Sequence, residues 1–144
     1  MPEGLSPSLA FMVALNRAGV RWLLIGRQAV AQYGVPVQTQ DYDLWADPAS
    51  ENVQSLVDAA QQEGFCDAQG TWACEGRELL TIYKDLSKVD IFFAPRFRNL
   101  DGQTIDFQKA YRQRKVAVAN GEPLEVPLPS LKDLKLLKRM RDSE

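Results

Sequence analysis

The chain has 144 residues, 45% of them hydrophobic and 25% charged, with a formal net charge of −2. This size and balance predict a single globular domain over residues 1–144, and the charge excludes a bulk attraction to nucleic acid or anionic membrane. Histidine is absent, which removes Ser-His-Asp and Cys-His nucleophile systems, histidine-ligated zinc and histidine acid–base chemistry. Any catalysis must therefore rest on carboxylates, cations, backbone amides and metal. Cys66 and Cys74 are too far apart for a CxxC motif and read as reduced thiols of a cytoplasmic protein. No apolar run approaches the roughly 18 residues of a membrane span, and no signal sequence is expected at the N-terminus.

Taken in order, Ser6-Pro7 predicts a cap and first helical position, with Leu9, Met12, Val13 and Leu15 at helical spacing and Gly19 as terminator. Val20 to Ile25 reads as a strand without alternation, hence central and covered on both faces. Arg27 to Tyr33 predicts a short helix with Ala29, Val30 and Tyr33 inward, closed by Gly34, and Val35-Pro36-Val37 is extended. Gln40 to Ala46 is a strand. Asp47-Pro48 repeats the cap-then-proline device before a helix ending near Gly64. Phe65 to Ala68 reads as a short strand. Glu78 to Lys84 and Lys88 to Phe93 form a hairpin across Asp85-Leu86-Ser87. Ile105 to Arg112 is a short helix. The segments beside Asn120-Gly121 form a second hairpin. Ser130 caps a last helix with Leu131, Leu134, Leu137 and Met140 inward. The order predicts an α/β (α+β) domain, helices packed on a mixed β-sheet.

The chemistry concentrates between Ile25 and Trp45. An apolar strand stops at Gly26 and turns into a helix, and Asp-x-Asp lies inside the following strand. Alternation places Asp41 and Asp43 on one face, with Cα atoms about 6.7 Å apart, and turns Tyr42 and Leu44 to the core. Two carboxylates beside a helix N-terminus can hold divalent cations next to phosphates. Alone, the motif equally suits a strand edge protected by charge. Asp90 adds a third carboxylate in the apolar run Val89-Asp90-Ile91-Phe92-Phe93, where an unpaired charge is costly unless it meets a cation or a polar cleft.

This combination resembles the nucleotidyltransferase superfamily, in particular the minimal nucleotidyltransferases and abortive-infection (AbiEii-type) antitoxin-like small bacterial proteins. The residues carrying the resemblance are Leu24-Ile25-Gly26 through Tyr33-Gly34, Thr39-Gln40-Asp41-Tyr42-Asp43-Leu44 and Val89-Asp90-Ile91. Leu15 to Val20 and Pro129-Ser130 to Lys138 add to it. The resemblance implies a nucleotidyltransferase-like sheet and transfer of a nucleoside monophosphate from a nucleoside triphosphate, releasing pyrophosphate. By the same resemblance Asp41, Asp43 and Asp90 would be catalytic and would hold two Mg²⁺ ions, with Mn²⁺ as the alternative. Gly26 and the helix start would meet the β/γ-phosphates.

The family's small residue after this glycine is Arg27 here. Its guanidinium can pair with the triphosphate, fill the phosphate pocket, or bridge to Asp41 or Asp43. Lys138 matches a lysine of the family's last helix and can reach the phosphates, or else forms a solvated face with Lys132 and Lys135. Trp45 shares the face of Asp41 and Asp43, either lining a pocket or packing. Arg96, Arg98, Arg112, Arg114 and Lys115 read as a solvated basic face, an RNA acceptor being the less favoured alternative. The leading expectation is a Mg²⁺-dependent nucleotidyltransferase acting on a small molecule, RNA or partner protein. The alternative is a weak or inactive interaction module, such as the antitoxin of a toxin–antitoxin pair.

Overall fold

The computed structural model describes residues 6–33, 41–118 and 124–141, the last stretch with side chains as far as 137. Helix α1 (Pro7–Arg17) starts as its sequence dictates: proline occupies the first turn, and the Ser6 hydroxyl accepts a hydrogen bond from the Leu9 amide at 3.2 Å. Strand β1 (Trp22–Ile25) is buried throughout and runs directly into helix α2 (Gly26–Gln32). Gly34 and Val35-Pro36-Val37 lie outside the described residues. Strand β2 (Asp41–Ala46) leads to helix α3 (Ser50–Gln62). After the two-residue strand β3 (Cys66–Asp67) come β4 (Leu79–Lys84) and β5 (Ser87–Phe92), joined at Asp85-Leu86 in a tight hairpin with Asp85 at φ 55°.

These strands form a five-stranded sheet in the order β1-β2-β5-β4-β3. The β2–β5 pair is parallel and the other pairs are antiparallel, so the sheet is mixed, as expected. The crossover from β2 to β5 carries α3 and the β4 strand, which a parallel pair requires because a tight turn cannot connect it. One face packs Trp22, Leu24, Leu44, Leu80, Ile82, Val89 and Ile91 against Phe11, Met12 and Leu15 of α1 and Leu56 and Ala60 of α3. Tyr42 joins this core, and burial pushes its phenol above the ordinary tyrosine range.

Beyond the sheet, a small ribbon of β6 (Arg96–Arg98) and β7 (Thr104–Asp106) precedes helix α4 (Phe107–Arg112). A second ribbon pairs β8 (Lys115–Val118) with β9 (Glu125–Leu128), the strands expected to flank Asn120-Gly121. The turn itself lies outside the described residues. Helix α5 (Leu131–Arg141) closes the chain.

Three expectations need correction. Strand β1 is at the sheet's edge rather than its centre, and β9 lies alongside it, so its four residues are buried without a hydrogen-bonded second neighbour. Asp47 does not cap α3; that position falls to Ala49. The Asp47 carboxylate instead accepts from Arg21 Nε at 2.7 Å and from the Ala49 amide at 3.1 Å, because a guanidinium on the neighbouring segment outcompetes the helix end. Leu131 is exposed at the start of α5, while Leu134 and Leu137 are buried as expected.

Candidate active site

Register across the sheet turns one face into three rows. The first is apolar: Leu23, Trp45, Phe92 and Leu79 pair in turn across β1, β2, β5 and β4. The second is mixed, with Ile25, Asp43, Asp90 and Thr81 side by side. The third is charged and polar, with Asp41, Lys88 and Tyr83 in line. Side chains alternate along a strand, so all three rows point the same way. Asp41, Asp43 and Asp90 therefore share a face, at the N-terminal ends of the two parallel strands.

Cover differs from row to row. Ile105, Phe107, Ala110 and Leu137 pack with Leu23, Ile25 and Trp45, so the apolar row is roofed. Trp45 is fully buried; its indole N–H donates to the Ala94 carbonyl at 2.7 Å, and its ring meets Phe97 and Phe107. It is a packing residue and lines no substrate pocket. Trp45→Phe is expected to cost about 1–3 kcal/mol in urea unfolding, because it strands a buried carbonyl. Toward the charged row the face opens: Asp41 is exposed, and Asp43 and Asp90 are half-buried.

Gly26 fixes the approach of α2 to this row. Its φ of +73° is left-handed, and a Cβ built there would lie 2.5 Å from Asp43 Oδ2. The glycine is needed twice over: for its backbone angle and for the space the carboxylate fills. Arg27, the next residue, is exposed. The ion pairs printed by the described side chains run through Arg21, Arg77 and Lys88. Lys138 lies on α5, but its side chain is outside those described. Of the basic segment, Arg96, Arg98, Arg112 and Lys115 are exposed, and Arg114 stacks on the Tyr111 ring at 4.0 Å.

Two neighbours of Asp90 escaped the sequence reading. The Thr81 hydroxyl donates to Asp90 Oδ1 at 2.6 Å, and Lys88 Nζ lies 3.5 Å from Oδ2. The Asp90 carboxylate raises the Lys88 pKa above the ordinary lysine range, with further contributions from Tyr83 and Asp41. Lys88 was findable, since it stands two positions before Asp90 and so shares its face.

The acidic donors are all oxygen, which suits Mg²⁺ or Mn²⁺. Among the described residues, no three Cys, Asp or Glu side chains gather into a group that could hold a metal ion. Mg²⁺ does not require one, being commonly held by one or two carboxylates together with substrate phosphates.

The sequence matches no protein-family model and no curated protein. Its fold is nonetheless found among solved structures. The chain superposes on TM1012 of Thermotoga maritima, a provisionally assigned nucleotidyltransferase, with a TM-score of 0.63 and 20% identity over 92% of this chain and 83% of that one. It also superposes on the lincosamide antibiotic adenylyltransferase LnuA, solved with lincomycin bound, with a TM-score of 0.61 and 14% identity over 90% and 82% of the two chains. Among the described residues, no helix is long and apolar enough to cross a membrane. The mixed sheet, its helices and these superpositions together give the chain the nucleotidyltransferase fold.

Proposed function

We propose that the chain transfers a nucleoside monophosphate from a nucleoside triphosphate to an acceptor hydroxyl. One observation carries this reading: Asp43 and Asp90 stand opposite each other on the parallel strands, with Asp41 on the same face and the Gly26 turn against Asp43. The adenylyltransferase of the same fold supports a nucleotide substrate. Asp41 and Asp43 would hold Mg²⁺, which when bound supplies positive charge to the phosphates and the departing oxygen. Gly26 and Arg27 border the triphosphate, the guanidinium serving as an exposed partner for its charge. Lys138 is a further candidate for phosphate contact. The acceptor oxygen forms the new bond to the α-phosphorus as the bond to the bridging oxygen breaks, so pyrophosphate leaves. Asp90, held by Thr81, takes the acceptor's proton.

The test is calorimetric titration of the chain with ATP, GTP, CTP and UTP in the presence of Mg²⁺. Binding of at least one is expected, and silence from all four at millimolar nucleotide would refute the reading. The double variant Asp41→Asn with Asp43→Asn is expected to lower transfer by about 100-fold or more, since metal stabilisation of the transition state is worth several kcal/mol. A second reading is an interaction module that keeps the fold and binds a toxin-like partner protein without turnover. It is favoured by the lack, among the described residues, of a preformed three-ligand group. Partner copurification that survives the same double variant would support it.

A further inference from the structure

Asp90 meets a donor at each oxygen, and one of these donors is a fixed cation. Thr81 donates to Oδ1 at 2.6 Å, and the Lys88 ammonium faces Oδ2 at 3.5 Å. Lys88 is also the register partner of Asp41, so its strand position sets it beside both carboxylates that flank Asp43 in the acidic cluster. We propose that the Lys88 ammonium takes the place of the second divalent ion, so that the site loads one ion rather than two. This rests on the nucleotidyl-transfer reading and deepens it.

Charge balance supports the assignment. Three ionised carboxylates and one ammonium leave the cluster at a net −2, which a single divalent ion neutralises. A second ion would have to settle at Asp90 against the ammonium already there, and like charges at such separation repel strongly. Thr81 adds a reason for Asp90 to stay in place, since its hydroxyl anchors one oxygen while Lys88 holds the other. The lysine is held on a strand in the middle of the sheet, so the cation is set in place by the fold itself. The half-exposed Lys88 side chain can be replaced without opening the core.

The test counts Mn²⁺ bound by the full chain, using the loss of the free-ion EPR signal. The wild type is expected to bind one Mn²⁺ per chain, Lys88→Ala and Lys88→Gln two, and Lys88→Arg one. Two ions on the wild type would overturn the Lys88 assignment and leave nucleotidyl transfer standing. One ion on both the wild type and Lys88→Ala would likewise overturn it, because the lysine would then not set the count. No ion on any of the four proteins would overturn both the assignment and the metal-dependent reading beneath it.

Discussion

Gly26→Ala is expected to reduce nucleotidyl transfer about 100-fold and to destabilise the chain by about 1–2 kcal/mol. The stability loss comes from forcing a residue with a Cβ into the left-handed backbone at φ +73°. The activity loss has a separate origin, because the new methyl would sit 2.5 Å from Asp43 Oδ2. Either the carboxylate or the start of α2 must then move, and a shift near 1 Å at a reacting centre costs about two orders of magnitude. Gly19→Ala separates the two effects. Gly19 has a φ of +71° but nothing within 4 Å of the position its Cβ would take. It should lose comparable stability in urea unfolding while keeping its turnover. Equal activity loss in the two variants would mean that crowding of Asp43 is not what matters.

Asp67→Asn is expected to lower stability by about 3–5 kcal/mol, or the melting temperature by about 10 °C. The Asp67 carboxylate is completely buried at its side chain and pairs with both terminal nitrogens of Arg77, at 3.0 and 3.2 Å. It also accepts from the amides of Gln69 and Trp72, so it organises the whole segment between β3 and β4. Removing its charge leaves a largely buried guanidinium without a counter-ion, and this is the expensive half of such a pair. Replacing both partners, by Asp67→Leu with Arg77→Met, should recover much of the loss.

The same pair sets a pH dependence. The Arg77 guanidinium beside Asp67 holds its carboxyl well below the usual carboxylate range, and the two backbone amides add to this against the opposing effect of burial. A depressed folded-state pKa means that the unfolded chain binds the proton more readily. The contribution is therefore complete above the unfolded value near pH 4 and is lost as pH falls from there toward the folded value. Acid titration of the melting temperature should show the wild type falling more steeply below about pH 4 than Asp67→Asn. Parallel curves would show that Asp67 carries no such linkage.

Most of the fold was legible because its signals were local. Proline after serine marked α1, the two-residue connection at Asp85-Leu86 marked the β4–β5 hairpin, and the period-two alternation put Tyr42 and Leu44 opposite Asp41 and Asp43. What failed depended on distant neighbours. Four consecutive buried residues in β1 announce cover on both faces but do not say that β9, a hundred residues later, provides part of it. Asp47 looked like a cap because its rival, Arg21, is brought near only by tertiary folding. The acidic face was legible along each strand separately. That Asp43 sits directly against Asp90, and that Thr81 reaches the latter, follows from cross-strand register, which no single segment encodes. The small β6–β7 ribbon was missed for a similar reason: its three-residue strands are too short to show a period.

The parallel β2–β5 ladder also makes assembly of the site a late event. Its two strands are separated in the chain by a helix and a hairpin, so the loop between them must close before Asp43 and Asp90 can meet. Closing it costs entropy ahead of any compensating contact, which places this pairing among the slower steps of folding. A slip of one residue would send the acidic side chains into the oily side of the sheet. Nucleotide capture would thus monitor whether a newly made molecule had finished and checked its own topology.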